Sequence, residues 1–380
     1  MIYLDYAAAT PLDPAVLKAM QPYFTDKFYN PSATYAAAQS VHKDIEAARA
    51  RVAHWLGARP TEVVFTAGGT EANNLAIRGV LNRYPWGNVV VSALEHESIL
   101  TTAGQAHAEL ARRIAPVTPA GIVDVEALVK LIDENTVLVS VMYANNEVGT
   151  IQPIRAIAEK LAIIRKQRRA SGNNNPLYFH TDAAQAAAYL DLHAARLGVD
   201  MLTLNAGKIY GPKQTGALFV ASHVQLEAQI AGGGQERNLR SGTENVAGII
   251  GLSHALDIVQ NRRHQEAARL AQLQHLFIQL LEEHIPGVII NGSLKTRLPN
   301  NVHITIPGQD NERLIFALDE LGVQCAAGSA CSASDEEPSH VLRAMGISDT
   351  DAQSSLRFTM GVHTTEDEIR ATVAHVKRCL

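Results

Sequence analysis

Val63-Val64-Phe65-Thr66-Ala67-Gly68-Gly69-Thr70-Glu71-Ala72-Asn73-Asn74 reads as an apolar strand, a glycine turn and the start of a helix. Paired glycines at such a turn let backbone N–H groups converge, and a helix start favours an anion there. The plainer reading is a tight turn capped by Thr70. The alternation continues outward. Upstream, residues 39–56 put Val41, Ile45, Ala48, Val52 and Trp55 on one helical stripe. Downstream, short apolar strands recur at Val89–Val91, Val137–Val141, Leu177–Phe179, Met201–Leu204 and Ala217–Val220, with a helix near 153–169. Strands spaced by helices predict a large α/β domain, its mostly parallel central sheet covered by helices on both faces.

From about Gly242 the pattern changes. A helical stretch runs towards residue 285, with Leu270, Leu273, Phe277 and Leu280 at helical spacing. After Pro286-Gly287 come short strands around Val288–Ile290 and Val302–Ile304, then helices near 311–321 and 366–377. In the last of these, Ile369, Val373 and Val376 share a face. This predicts a smaller α+β domain. The expected division is 12–255 for the large domain and 256–380, joined by the N-terminal segment 1–11, for the small one.

Across 380 residues, 38 acidic side chains outnumber 33 Lys and Arg, for a net charge of -5. That balance argues against a nucleic-acid or anionic-membrane binder. Hydrophobic residues at 47% and charged residues at 19% describe a globular chain, not a disordered one. Three cysteines, Cys325, Cys331 and Cys379, rule out a disulfide framework and predict a reduced, intracellular protein. The start MIYLDYAAAT lacks a signal-peptide pattern and no apolar run is long enough to span a bilayer, so the expected location is the cytoplasm.

Several segments can carry chemistry. Asp182 lies just past an apolar strand, where open α/β sheets place their ligands, and a carboxylate there can stabilise a protonated ring nitrogen. Gln185 can donate to a nearby oxygen, while an N-cap role for Asp182 is the plain alternative. Lys208 directly follows a buried strand, and half-buried amines have depressed pKa values and form Schiff bases with carbonyls. The alternative is a snorkelling lysine, and Lys213 reads as a solvated turn residue. Glycines 232–234 with Arg237 and Arg240 suggest an anion-facing loop, and Thr243 can cap the helix that follows.

Cys331 sits among small, flexible residues, as an exposed thiol does, and such a thiol is partly ionised at neutral pH. Cys325, following Val323, reads as a packed thiol, and without clustered histidines the pair is poor material for a metal site. His96 follows a strand and can lie over a planar ring or simply begin a helix. Arg357 falls within a predicted strand, where its charge wants a carboxylate partner. Asn145, Asn146 and Glu147 form a polar turn.

Taken in order, GGTEANNLAI, NNEVGTIQPI, FHTDAAQ, GKIYGPK, GGGQERNLRSGTEN and GSACSAS resemble the cysteine desulfurases. These form a class V aminotransferase branch of the pyridoxal-phosphate enzymes of fold type I, and the likeness covers essentially the whole chain. The segment after Ser332, with Glu337-Pro338-Ser339, resembles the subgroup with an extended, mobile cysteine loop, which serves iron–sulfur assembly and tRNA thiolation. The resemblance implies conversion of L-cysteine to L-alanine, with the sulfur passing to Cys331 as a persulfide and then to an acceptor protein. It implies that Lys208 holds the cofactor covalently and acts as general base. Asp182 would pair with the ring nitrogen, Gln185 with the ring oxygen, and Asn145 would lie close to that oxygen and to the substrate. His96 would stack on the ring and shuttle a proton. Gly69, Thr70 and Asn205 would hold the phosphate, and Thr243 would reach the phosphate of a neighbouring subunit's site, making a homodimer. Arg357 would clamp the substrate carboxylate. No metal, nucleic acid or membrane is implied.

One departure carries a consequence. The family usually has serine, alanine, histidine and lysine where this chain has Asn205-Ala206-Gly207-Lys208. Asn205 can still donate through its amide, but Gly207 has no side chain, which predicts weaker cofactor retention. Gln214 stands where glycine is usual. Three other functions fit the same residues: a selenocysteine lyase, an aminotransferase of another small amino acid, and a catalytically silent binding partner.

Overall fold

The computed structural model describes residues 1–105, 112–328 and 338–380. The short strand β1 (Ile2–Tyr3) opens the chain. Then come β2 (Val63–Thr66), β3 (Asn88–Ser92), β4 (Arg112–Ala115), β5 (Thr136–Ser140), β6 (Tyr178–Asp182), β7 (Met201–Asn205) and β8 (Gly216–Val220). The last part of the chain adds β9 (Ile289–Ile290), β10 (Asn301–Thr305), β11 (Val323–Gln324) and β12 (Ser355–Thr359).

Among the described residues, β2 to β8 form a seven-stranded sheet in the order β2-β8-β7-β6-β5-β3-β4. The run from β4 to β7 is parallel, and β8 is antiparallel to both of its neighbours. Every residue of β2, β3, β5, β6 and β8 is buried, which is why each of these strands is built on a short apolar run. Both faces are covered. Val90, Val139, Phe179 and Leu202 pack on one side with Ile45 and Val52 of the helix Ala36–Leu56. Val89, Val91, Leu138 and Met201 pack on the other with Leu75 and Val80 of the helix Gly69–Arg83. Neighbouring valines part to opposite faces because side chains alternate along a strand.

A second core gathers Leu270, Phe277, Val302, Ile304, Leu356, Phe358, Ile369 and Val373 around the antiparallel sheet β12-β10-β9. The helix Val246–His284 joins the two cores, burying Ile249 and Leu256 in the first and Leu270 and Phe277 in the second. Asn245 caps it, accepting from the Gly248 N–H, so the capping role expected of Thr243 falls to Asn245. Gly68, not Thr70, is the N-cap of the helix Gly69–Arg83.

The N-terminal segment stitches the second core together. β1 pairs in parallel with β11, the Leu4 N–H donates to the Gln324 carbonyl, and the Thr359 N–H donates to the Leu4 carbonyl. From there the chain crosses to the first core, so Leu4 is buried in one and Tyr6 in the other. No helix among the described residues is long and apolar enough to cross a membrane.

Candidate active site

The C-terminal ends of β6 and β7 open onto a cavity of about 210 Å³. Gly69, Thr70, His96, Asp182, Gln185, Asn205, Lys208 and Arg357 all line it. A larger cavity of about 420 Å³ beside Leu12, Tyr189 and Ile258 holds none of the predicted site residues.

The wall nearest the helix Gly69–Arg83 is glycine for steric reasons. Gly68 has φ of 139°, a backbone that favours glycine, and a Cβ on Gly216 would lie 2.6 Å from the Gly68 carbonyl carbon. A Cβ on Gly69 would meet Asn205 Cβ at 3.3 Å. The turn therefore lies close against β8 and Asn205, with the positive end of the helix dipole at the cavity wall.

Asp182 ends β6 and is only 8% exposed. Its Oδ1 accepts from the Ala184 N–H at 2.8 Å, holding the turn, and its Oδ2 accepts from Asn73 Nδ2 at 2.7 Å. Asn73 Nδ2 also donates to Ser98 Oγ at 2.9 Å, and that hydroxyl lies 2.9 Å from His96 Nδ1. A chain of hydrogen bonds thus connects the carboxylate to the imidazole. His96 is the N-cap of the helix Glu97–Gly104, where its Nδ1 accepts from the Ser98 N–H at 3.0 Å. This assigns the proton of the neutral ring to Nε2. Burial, foremost, pulls the His96 pKa down, against the attraction of Asp182, so the ring favours its neutral form. Glu95 beside it is fully buried, and burial pushes its carboxyl up to about 8.

Lys208 ends the short helical turn Ala206–Lys208 after β7. Its Nζ donates to the carbonyls of Ala7 at 2.7 Å and Ala8 at 2.6 Å, and Gln185 Nε2 donates to the same Ala7 carbonyl at 3.0 Å. Lys213 is exposed as expected, yet its Nζ reaches the Thr10 carbonyl at 2.5 Å. Asn205 Oδ1 accepts from the Gly207 N–H at 3.1 Å. Gln214 is exposed at φ of 53°, a left-handed backbone that explains a preference for glycine there and costs another residue about 1–2 kcal/mol.

Arg357 lies in β12 and is 1% exposed. The carboxylate partner that its burial called for is Asp5, whose Oδ1 accepts from Nη2 at 2.7 Å, while Nη1 donates to the Asn146 carbonyl at 3.1 Å. Asn145 is a correction. It is fully buried, donates through Nδ2 to the Leu94 carbonyl, and accepts through Oδ1 from the Glu147 and Val148 N–H groups. Its amide is consumed in holding the turn, and its neighbour Asn146 lines the cavity instead.

Thr243 is exposed and does not line the cavity of its own chain. Cys331 lies outside the described residues. Cys325 is a packed thiol as expected, pushed up to about 12 by burial, with the Asp5 carboxylate adding to the rise.

Sequence reasoning missed Asn73, Ser98, Asn146 and the carbonyls of Ala7 and Ala8. Asn73 had a signal: it lies one helical turn beyond Gly69, hence on the same face. The carbonyls had none, because every residue carries one.

An amine, a carboxylate, a neutral imidazole, a guanidinium and a helix N-terminus around one cavity fit pyridoxal phosphate. They match its aldehyde, ring nitrogen, ring face, substrate side and phosphate in turn. The family profile "Aminotransferase class-V" matches residues 2–372. The cysteine desulfurase IscS of Dictyoglomus turgidum is 39% identical over 383 residues, covering 100% of this chain and 94% of that one. The solved structure of a NifS-like protein from Rickettsia africae superposes with a TM-score of 0.88 at 30% identity, covering 100% of this chain and 99% of its own. A structure of SspA in complex with cysteine gives 0.82 at 33% identity, covering 96% and 100%. With a profile match along nearly all its length and relatives alike from end to end, the chain belongs to the class-V aminotransferase family, in the branch of the cysteine desulfurases.

Proposed function

We propose that Lys208, Asp182, His96, Gln185 and Arg357 do the chemistry of this cysteine desulfurase and that Cys331 receives the sulfur. The enzyme converts L-cysteine to L-alanine with transfer of the sulfur, using pyridoxal phosphate. The observation that carries the assignment is the meeting of Lys208, Asp182 and Arg357 around one cavity, although sequence separates them widely.

When bound, pyridoxal phosphate withdraws electrons from the substrate Cα. Lys208 would hold the cofactor covalently, and its freed Nζ would take the substrate Cα proton as general base. Asp182, held in place by Asn73, would keep the ring nitrogen protonated. His96, in its neutral form, would lie against the ring, and Gln185 would donate to the ring oxygen. Gly69, Thr70 and Asn205 would bind the phosphate, with Thr243 supplied by a second copy of the chain. The exposure of Thr243 supports that homodimeric arrangement. Arg357 binds the substrate carboxylate, with Asn146 at the same wall.

The Cys331 thiolate then attacks the substrate sulfur. The carbon–sulfur bond would break with its electron pair left on the carbon side; Cβ would take up one proton and Lys208 Nζ would return one to Cα, so that alanine leaves. The sulfur remains on Cys331 as a persulfide until an acceptor protein removes it. That acceptor is an iron–sulfur scaffold or a tRNA-thiolating enzyme in the cytoplasm.

The test is product balance. Incubated with L-cysteine and excess thiol reductant, the loaded enzyme should release alanine and sulfide in equal amounts. Sulfide accompanied by pyruvate and ammonia would mark β-elimination and overturn the reading.

Gly207 offers a second measurement. A Cβ there would meet nothing closer than Asn205 Oδ1 at 3.5 Å, so a side chain can be added without displacing the backbone. A regained charge-assisted contact to phosphate is worth roughly 1.5–3 kcal/mol, about one to two decades in affinity. Gly207→His is expected to slow cofactor release by about tenfold or more, followed by absorbance after transfer into cofactor-free buffer. Unchanged release would show that the phosphate lies elsewhere.

A further inference from the structure

The N-terminal segment bonds to two side chains that line the cavity. Its Ala7 and Ala8 carbonyls accept from Lys208, and Asp5 accepts from Arg357. Asp5 is brought there by backbone pairing, because the Leu4 carbonyl and the Tyr6 N–H both bond to Thr359, two residues beyond Arg357.

Asp5 occupies Nη2 of Arg357 and the Asn146 carbonyl occupies Nη1, while none of the described residues accepts from the buried Nε–H. A guanidinium carries its donors in a rigid fork, so fixing both Nη atoms fixes the direction of the Nε edge. A buried donor with no acceptor, on a side chain lining the cavity, points to a ligand that accepts from it.

We propose that Asp5 is a positioning residue: it holds Arg357 so that the Nε edge receives the carboxylate of L-cysteine. The proposal rests on the reading of Arg357 as the carboxylate group's binder. Two effects of Asp5 oppose each other. Its carboxylate orients the guanidinium, which strengthens substrate binding, and it also neutralises the guanidinium, which weakens attraction for a second anion. Orientation wins here because Arg357 is buried, and a buried fork that loses a partner turns toward other acceptors.

The experiment compares Asp5→Ala, Asp5→Asn and Arg357→Ala in the cofactor-loaded enzyme. The readouts are KM and kcat for L-cysteine, and the half-saturation of the cofactor's spectral change by cysteamine, which lacks the carboxylate. Asp5→Ala should raise KM for L-cysteine about tenfold with kcat changed less than about threefold, the signature of lost ground-state binding. Cysteamine should saturate as in the unmodified enzyme. Asp5→Asn keeps an oxygen acceptor and should stay within about threefold on KM. An unchanged or lower KM in Asp5→Ala, as loss of a counter-charge alone would give, overturns the proposal, as does an equal loss for cysteamine. If Arg357→Ala itself leaves KM for L-cysteine unchanged, the carboxylate reading falls and the proposal falls with it. A raised KM in Arg357→Ala beside an unchanged one in Asp5→Ala removes the proposal alone.

Discussion

Lys208→Ala is expected to lose at least about 10³-fold in turnover, because one substitution removes both the covalent hold on the cofactor and the base that takes the Cα proton. The absorbance of the covalently held cofactor should vanish as well. The fold should survive. Lys208 is half-buried at the end of a single helical turn, and its amine donates to the main-chain carbonyls of Ala7 and Ala8. Truncating such a side chain typically shifts stability by no more than about 1 kcal/mol, so thermal unfolding should stay close to that of the unmodified protein. Lys208→Arg sharpens the test. The guanidinium keeps the positive charge within reach of the same carbonyls but does not deprotonate at working pH. It should be as inactive as the alanine variant. Substantial turnover by the arginine variant would mean that charge, not amine chemistry, is what position 208 supplies.

The strands that lead to Asp182 and Lys208 were legible because β6 and β7 are almost wholly buried and begin on short apolar runs. The edge strand β4 was not. Its sequence Arg112-Arg113-Ile114-Ala115 exposes Arg112 and Ile114, so neither apolar content nor alternation marks it. The pairs β1 and β11 are two residues each and exist only through a contact between residues over three hundred positions apart, which local periodicity does not register. The site divided along the same line. Asp182, Lys208, His96 and Arg357 stand out as a charge or an imidazole after, or within, an apolar strand, but a plain structural reading fits Asp182, Lys208 and His96 equally, and their roles came from the resemblance. The confusion of Asn145 with Asn146 arose in a turn. There the alternation of a strand has ended, and the hydrogen bonds to Leu94, Glu147 and Val148 decide which of two identical side chains faces inward. The contacts of the N-terminal segment with Lys208 and Gln185 were invisible because main-chain carbonyls carry them.

Cys331→Ala should abolish alanine and sulfide production while leaving cofactor content and the spectral response to L-cysteine intact. The competing thiol is Cys325, and burial decides against it. Its pKa of about 12 leaves roughly one molecule in 10⁵ as thiolate at neutral pH. A thiol of ordinary pKa near 8.5 is a few per cent ionised under the same conditions, about three orders of magnitude more. Nucleophilicity rises with thiol pKa, but only with a Brønsted slope of about 0.4–0.5, so it recovers less than half of that deficit. Cys325→Ala should therefore desulfurate L-cysteine at close to the normal rate, with any loss appearing as lower thermal stability from a cavity beside Val323 and Arg357. Sulfur counts provide the direct reading. After one turnover without reductant, a single persulfide per chain should map to the peptide containing Cys331 and none to that of Cys325. Persulfide on Cys325, or turnover surviving in Cys331→Ala, would move the nucleophile to a different thiol and leave the chain's long cysteine-bearing segment without its assigned task.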